Sequence, residues 1–178
     1  MASTYIEPRS ARGSIWRAAI VLVPLLLVLG GLSAQISGST EDNSWYQTLV
    51  LPALQPPGPV FGIAWSFLYT SIAIAAAIVW SHKDASGRGL ALGLFAVGFV
   101  INLTWSPVFF RLHLILPALT IIGVMLVLAI ATIFAFAKVS RVAAWLLLPY
   151  VIWLSFAFML NASIWRLNPT AEVLQLGI

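Results

Sequence analysis

The chain has 178 residues, of which 61% are hydrophobic and only 8% charged, and its net charge is +4. Soluble domains are roughly half apolar and about one quarter charged, so this composition excludes them and indicates a membrane protein. The chain has no cysteine, which excludes disulfides, thiolate metal sites and thiol nucleophiles. Its basic residues lie at the ends of apolar runs, which indicates membrane-topology signals and not a nucleic-acid partner.

Five charge-free stretches are long enough, at roughly 17–25 residues, to cross a bilayer as helices. They cover residues 18–36, 61–80, 89–110, 114–137 and 142–165. Helices are expected because lipid cannot satisfy unpaired backbone groups. The sequence therefore predicts an all-α integral membrane protein, with a single five-helix bundle over residues 15–168. Residues 1–14 and 169–178 are predicted to be terminal tails.

The positions of Lys and Arg predict the orientation of the bundle. With a cytoplasmic N-terminus, seven basic residues lie inside and two outside, as the positive-inside rule requires. The inner set is Arg9, Arg12, Arg17, Lys83, Arg88, Lys138 and Arg141, and the outer set is Arg111 and Arg166. The C-terminus and the loop over residues 37–60 are then outside.

The first span has a second interpretation. Arg9, Arg12 and Arg17 precede an apolar core that ends in Gly31-Leu32-Ser33-Ala34, a pattern also typical of a cleaved signal peptide. The apolar run is longer than a usual signal core, which favours a retained helix. Charge does not decide between the two, because cleavage would leave the other spans oriented in the same way.

Ionisable groups argue against several classes of membrane protein. All acidic residues lie outside the spans, and no Lys or Arg lies deep within one. Proton-coupled pumps, ion channels and voltage sensors usually carry intramembrane charge, and a hydrolase needs paired carboxylates. His82 and His113 lie near span ends and are expected to be interfacial, so no metal site is predicted.

Aromatic and amide side chains recur at helical spacing in three spans. Each set shares a face: Phe61, Trp65 and Tyr69; Asn102, Trp105 and Phe109; Trp153, Ala157, Leu160 and Asn161. The predicted topology brings these faces to the outer half of the bilayer. They predict an aromatic pocket with a few polar groups, covered by the proline-rich lid within residues 37–60. The alternative is ordinary helix packing, with Asn102 and Asn161 as interhelical hydrogen-bonding groups.

A glycine pair permits close helix approach. Gly89 and Gly93 have the small-xxx-small spacing of tightly packed membrane helices. The pair fits either a homodimer or a contact within the bundle, and we expect the internal contact.

Three separated motifs resemble the TspO/MBR family of tryptophan-rich sensory and translocator proteins. They are WYQTLVLPALQPPGPVFGIAWSFLY (Trp45–Tyr69), NLTWSPVFF (Asn102–Phe110) and PYVIWLSFAFMLNASIW (Pro149–Trp165). The resemblance implies a five-helix bundle, often a homodimer, in which the first loop closes a cavity for protoporphyrin IX, haem or related tetrapyrroles. The ligand-contacting positions it implies are Tyr46, Pro56, Phe61, Trp65, Tyr69, Asn102, Trp105, Trp153, Ala157, Leu160 and Asn161. No tightly bound cofactor is implied.

The implied function is that of a membrane receptor, sensor or carrier, and two alternatives accompany it. One is light-dependent porphyrin breakdown, as proposed for some family members, with Trp65 and Trp105 as candidates and no conventional catalytic group. The other is sterol or lipid binding, which the sequence favours less, because Ala162-Ser163 stand where animal members carry a cholesterol-recognition tyrosine. Arg111 or Arg166 would be available for ligand carboxylates. The absence of an organellar transit pattern favours a bacterial envelope membrane.

Overall fold

The computed structural model describes residues 9–39 and 43–171, without the side chains of residues 9–12. The helices of this part are α1 (Arg9–Ser37), α2 (Gly58–Ser81), α3 (Arg88–Ser106), α4 (Ile115–Val139), α5 (Arg141–Leu146) and α6 (Leu148–Leu167). A short 3-10 helix (Tyr46–Thr48) lies in the loop between α1 and α2, and a π-helical turn (Pro107–Arg111) continues α3. Of the predicted tails, residues 1–8 and 172–178 lie outside the described residues.

Five helical segments are long and apolar enough to cross a membrane, which confirms the predicted all-α membrane fold. The fifth segment consists of α5 and α6 together, and the third includes the π-helical turn. Four predicted spans agree with these segments to within three residues at either end. The first helix begins at Arg9 and not at Ala18, because a helix continues through charged residues that a search for apolar runs excludes. The orientation of the termini stays a prediction.

Prolines explain two irregularities of the bundle. The fifth segment breaks at Leu147, and Pro149 lies in the first turn of α6, where its missing N–H breaks no helical hydrogen bond. Pro107 begins the π-helical turn, in which the N–H of Leu112 donates to the Pro107 carbonyl at 3.0 Å. Pro24 lies inside α1 without ending it.

The two ends of the bundle differ in packing. The second half of α2 is rich in alanine, and Ala73, Ala75, Ala76 and Ala77 are at most 1% exposed. Such small side chains let neighbouring helices approach closely. The first half of α2 carries Phe61, Trp65 and Tyr69 instead. It adjoins the described loop residues 38–39 and 43–57, which we call the lid. The end with the lid is hollow, and the alanine-rich end is filled.

The glycine pair on α3 is not part of an internal contact. Gly89 and Gly93 are both exposed, and no other part of the described chain lies within 4 Å of the position that a Cβ would occupy. The predicted internal contact is therefore wrong, because the packed face of α3 uses other residues. The homodimer alternative stays a prediction.

Candidate functional site

A cavity of about 1120 Å³ occupies the lid end of the bundle. The lid, α1, α2, α3, α4 and α6 all contribute to its wall, and its exposed lining residues lie in the lid and in adjoining turns of α1 and α2. Those exposed residues form its mouth, with Gly31, Gln47, Leu51 and Gly62 among them. Ligand pockets commonly measure about 300–1,000 Å³. The cavity is therefore large enough for a molecule of drug size or larger.

One wall is an aromatic surface made by α2 and α6. The centroid of the Trp65 ring lies 5.2 Å from the ring centroid of Tyr69 and 6.4 Å from that of Trp153. Phe61 packs edge-on against Trp153, with ring centroids 5.5 Å apart. Phe61, Trp65 and Tyr69 recur every four residues, so one face of α2 presents all three rings to the cavity.

A second aromatic surface comes from the end of α3 and its π-helical turn. Trp105 stacks on Phe109, with ring centroids 5.3 Å apart and an interplanar angle of 16°. Phe110 lies edge-on to both rings. Trp105, Phe109 and Phe110 all line the cavity, so ring faces and edges are available on two sides of it.

A satisfied polar network lies where the cavity meets the filled half. The hydroxyl of Tyr69 donates to Asn102 Oδ1 at 2.7 Å, and Asn102 Nδ2 donates to the Tyr150 hydroxyl at 3.2 Å. Asn102 is buried, so these bonds offset the cost of removing its amide from water. The Tyr69 ring fits against Gly30 of α1, where a Cβ would lie 2.1 Å from the ring. Only glycine leaves room for the ring at this position.

Five other lining residues have buried polar atoms without a hydrogen-bond partner in the described part of the chain. The atoms are Gln55 Oε1, Trp105 Nε1, Ser106 Oγ, Trp153 Nε1 and both amide atoms of Asn161. Leaving such a group unpaired costs about 1–3 kcal/mol, so buried polar atoms are almost always paired with protein, water or ligand. These unpaired atoms all lie at one cavity, which indicates that water or a bound molecule supplies their hydrogen bonds there.

The first half of the lid is anchored to the bundle. Trp45 and Leu49 are buried in a cluster with Phe109 and Ile164, and Trp45 also stacks on His113 at 4.5 Å. His113 is thus a packing residue beside the lid and does not line the cavity.

Asn168, just beyond α6, fixes the end of this anchored half. Its Oδ1 accepts the Val50 N–H at 2.8 Å, and its Nδ2 donates to the Val50 carbonyl at 3.0 Å. The second half of the lid is more exposed and returns toward the first through a bond from Gln55 Nε2 to the Tyr46 hydroxyl at 2.9 Å.

The cavity wall contains no Asp, Glu, Lys, Arg or His among the residues that the structure describes. Arg111 and Arg166, considered from the sequence as partners for ligand carboxylates, are exposed and do not line it. No cluster of three potential metal-ligating side chains occurs in the described ranges. The described wall therefore consists of aromatic surface, aliphatic side chains and neutral hydrogen-bonding groups.

All eleven side chains that the sequence analysis assigned to a ligand site line this cavity. The lid supplies Tyr46 and Pro56; α2 supplies Phe61, Trp65 and Tyr69; α3 supplies Asn102 and Trp105; α6 supplies Trp153, Ala157, Leu160 and Asn161. Their contact with a ligand stays a prediction.

Sequence reasoning missed the wall contributed by α1. Gly30, Gly31 and Ser33 line the cavity, and the Ser33 hydroxyl donates to the Leu103 carbonyl of α3 at 2.7 Å. The adjacent glycines in an otherwise bulky apolar span were the available signal, because small residues mark close approach. Gln55 and Ser106 carried no comparable signal.

Comparison with known proteins gives consistent results. The profile of the TspO/MBR family matches residues 19–166. The chain is 36% identical over 157 residues to the tryptophan-rich protein TspO of Chlorobaculum tepidum, covering 83% of this chain and 98% of the relative. It is 35% identical over 130 residues to protein CrtK of Rhodobacter capsulatus, covering 72% and 81%. It is also 35% identical over 147 residues to the translocator protein of Bos taurus, covering 81% and 86%.

Proposed function

Because this chain belongs to the TspO/MBR family, we propose that it is a membrane receptor, sensor or carrier that binds tetrapyrroles such as protoporphyrin IX or haem in the lid-end cavity. It is a multi-pass membrane protein, and its similarity to bacterial relatives supports a bacterial membrane. The observation that carries the proposal is a large cavity with aromatic walls, which has several unpaired polar atoms and no charged lining residue within residues 9–39 and 43–171.

The wall fits a flat, mostly apolar macrocycle. Trp65 and Trp105 present indole rings from two helices, and aromatic contacts contribute about 0.5–1.5 kcal/mol each beyond burial. The unpaired indole N–H groups of Trp105 and Trp153 supply donors for polar atoms on the ligand.

The cavity wall fits the porphyrin ring of haem better than it fits the iron. No histidine lines the described wall, which offers the Met125 thioether and the hydroxyls of Tyr46 and Tyr69. Both hydroxyls already take part in hydrogen bonds with side chains of the wall. Haem iron in proteins is usually held by His, Cys, Met or Tyr. This chain would therefore hold a tetrapyrrole by stacking, burial and hydrogen bonding, with metal ligation as a minor contribution.

The test is a titration of detergent-purified protein with protoporphyrin IX in the dark, followed by tryptophan quenching. Trp65→Phe and Trp105→Phe should each raise Kd about 2- to 10-fold, because each loses part of one aromatic contact. Trp145→Phe is the matched control, since Trp145 is 70% exposed on α5 and does not line the cavity. Linear, non-saturating quenching in all proteins would contradict the proposal and indicate nonspecific partitioning.

The second candidate is light-dependent breakdown of the ligand in the same cavity. It is favoured by the presence of Trp65 and Trp105 in the wall, because a bound pigment would lie against oxidisable indoles. Illumination should then change the bound ligand's absorption spectrum in the wild type and much less in Trp65→Phe at equal occupancy. An unchanged pigment after illumination would remove this candidate and leave the binding proposal intact.

A further inference from the structure

The cavity combines unpaired hydrogen-bonding atoms with a lack of Asp, Glu, Lys, Arg and His in its wall, among the residues that the structure describes. The indole N–H groups of Trp105 and Trp153 can only donate, so they require acceptors on the ligand. Asn161 offers both a donor and an acceptor, and it is only 2% exposed. Neutral carbonyl, ester or ring-nitrogen groups satisfy the two indole N–H groups and Asn161 Nδ2, and a neutral N–H or O–H group satisfies Asn161 Oδ1.

An ionised carboxylate would be poorly accommodated at the same place. A buried charge needs an opposite charge or several charge-directed hydrogen bonds to offset the loss of hydration. The described wall provides no cation, and its unpaired N–H donors are neutral and divided between α3 (Trp105) and α6 (Trp153 and Asn161). Arg111 and Arg166, which follow lining residues of these helices, are exposed outside the wall. The same carboxylate at the mouth keeps its contact with water or lipid headgroups.

We propose that the cavity admits only the uncharged part of its ligand and leaves ionised groups at the mouth beside the lid. The inference rests on the proposed function and narrows its ligand class. The ligand is a flat aromatic molecule with neutral hydrogen-bond acceptors, and any carboxylates it carries lie along one edge. Affinity then depends on the ring and its neutral groups, and carboxylate charge contributes little.

The experiment compares protoporphyrin IX with its dimethyl ester, which keeps the ring and the carbonyl acceptors but carries no carboxylate charge. Both are titrated in the dark against the wild type and the variants Arg111→Gln and Arg166→Gln, in low and high salt. The linear, non-saturating part of each titration corrects for partitioning of the more apolar ester into detergent. We expect the two Kd values to agree within about threefold and to be insensitive to salt and to either arginine, because no ion pair is involved.

Three other outcomes are distinguishable. Ester binding weaker by tenfold or more, with acid binding that falls in high salt or in an arginine variant, would overturn the inference and leave the proposed function standing. Ester binding tighter by tenfold or more would also overturn it, because the carboxylates would then enter the cavity at a cost. Saturable binding of neither compound would overturn the proposed function, and this inference with it.

Discussion

Replacing Asn168 by alanine should loosen the lid. The substitution removes both hydrogen bonds between this side chain and the backbone of Val50. It also removes a bond from Asn168 Nδ2 to the Ile164 carbonyl, but that bond lies at the end of its own helix and is the same for an open or closed lid. Of the three bonds made by the Asn168 side chain, the two to Val50 therefore bias the lid toward the closed position.

The magnitude follows from those two bonds. Val50 is 57% exposed, so water can replace the lost partners, and the net value of about 0.5–1.5 kcal/mol per hydrogen bond applies. The free energy that favours the closed lid over the open lid should fall by about 1–3 kcal/mol in total. The ratio of open to closed lid should then rise about 5- to 150-fold. Burial of Trp45 and Leu49 continues to hold the first half of the lid, so the fold itself should persist.

Two measurements test this. The Val50 amide, which donates to Asn168 Oδ1, should exchange with deuterium faster once that acceptor is removed, and the measurement needs no ligand. If protoporphyrin IX binds, its dissociation after dilution should accelerate in parallel. Ser163→Ala is the control, because the Ser163 hydroxyl bonds only to the Met159 carbonyl of its own helix. Unchanged exchange at Val50 in Asn168→Ala would refute the idea that this side chain holds the lid.

The other predictions concern the wall and the network beneath it. Gly30→Ala should destabilise the protein by about 1–3 kcal/mol and weaken ligand binding, because the new Cβ collides with the Tyr69 ring. Gly31→Ala is the control and should change thermal unfolding little, because the position of its Cβ is open. Tyr69→Phe should lower the free energy of unfolding by about 1–3 kcal/mol, because Asn102 Oδ1 loses its donor while it stays buried. An unfolding temperature equal to that of the wild type would show that water replaces the hydroxyl. Tyr150→Phe should cost less than Tyr69→Phe, because its bond to Asn102 is longer, at 3.2 Å; the opposite order in thermal unfolding would contradict the geometry.

Much of this fold was predictable because the bilayer restricts the choices. Apolar runs of sufficient length must form helices, so the five spans follow from hydropathy alone. The helical repeat then places Phe61, Trp65 and Tyr69 on one face without knowledge of their neighbours. The same repeat, with the predicted topology, brought those rings and the aromatic and amide groups of α3 and α6 to one end of the bundle.

The remaining features depend on packing that spacing does not encode. Which helix faces which is decided by side-chain fit, so the position of Gly30 against Tyr69 and the exposure of Gly89 were not predictable. The hydrogen bonds between Asn168 and Val50 connect residues that are 118 positions apart, and no local sequence pattern predicts them. The unpaired state of Asn161 is likewise a property of the assembled wall.

The alanine-rich half of α2 limits the routes by which a ligand could pass through the bundle. On the far side of the Tyr69–Asn102–Tyr150 network from the lid, Ala73, Ala75, Ala76 and Ala77 are buried, and a cavity of only about 20 Å³ lies beside Ile72 and Tyr150 in the described residues. In this conformation the cavity is a blind recess that opens on one side of the bundle. If the proposed ligand binds there, it should enter and leave by the same mouth and exchange with one side of the membrane. Delivery across both leaflets would require α2 to separate from its most closely packed neighbours.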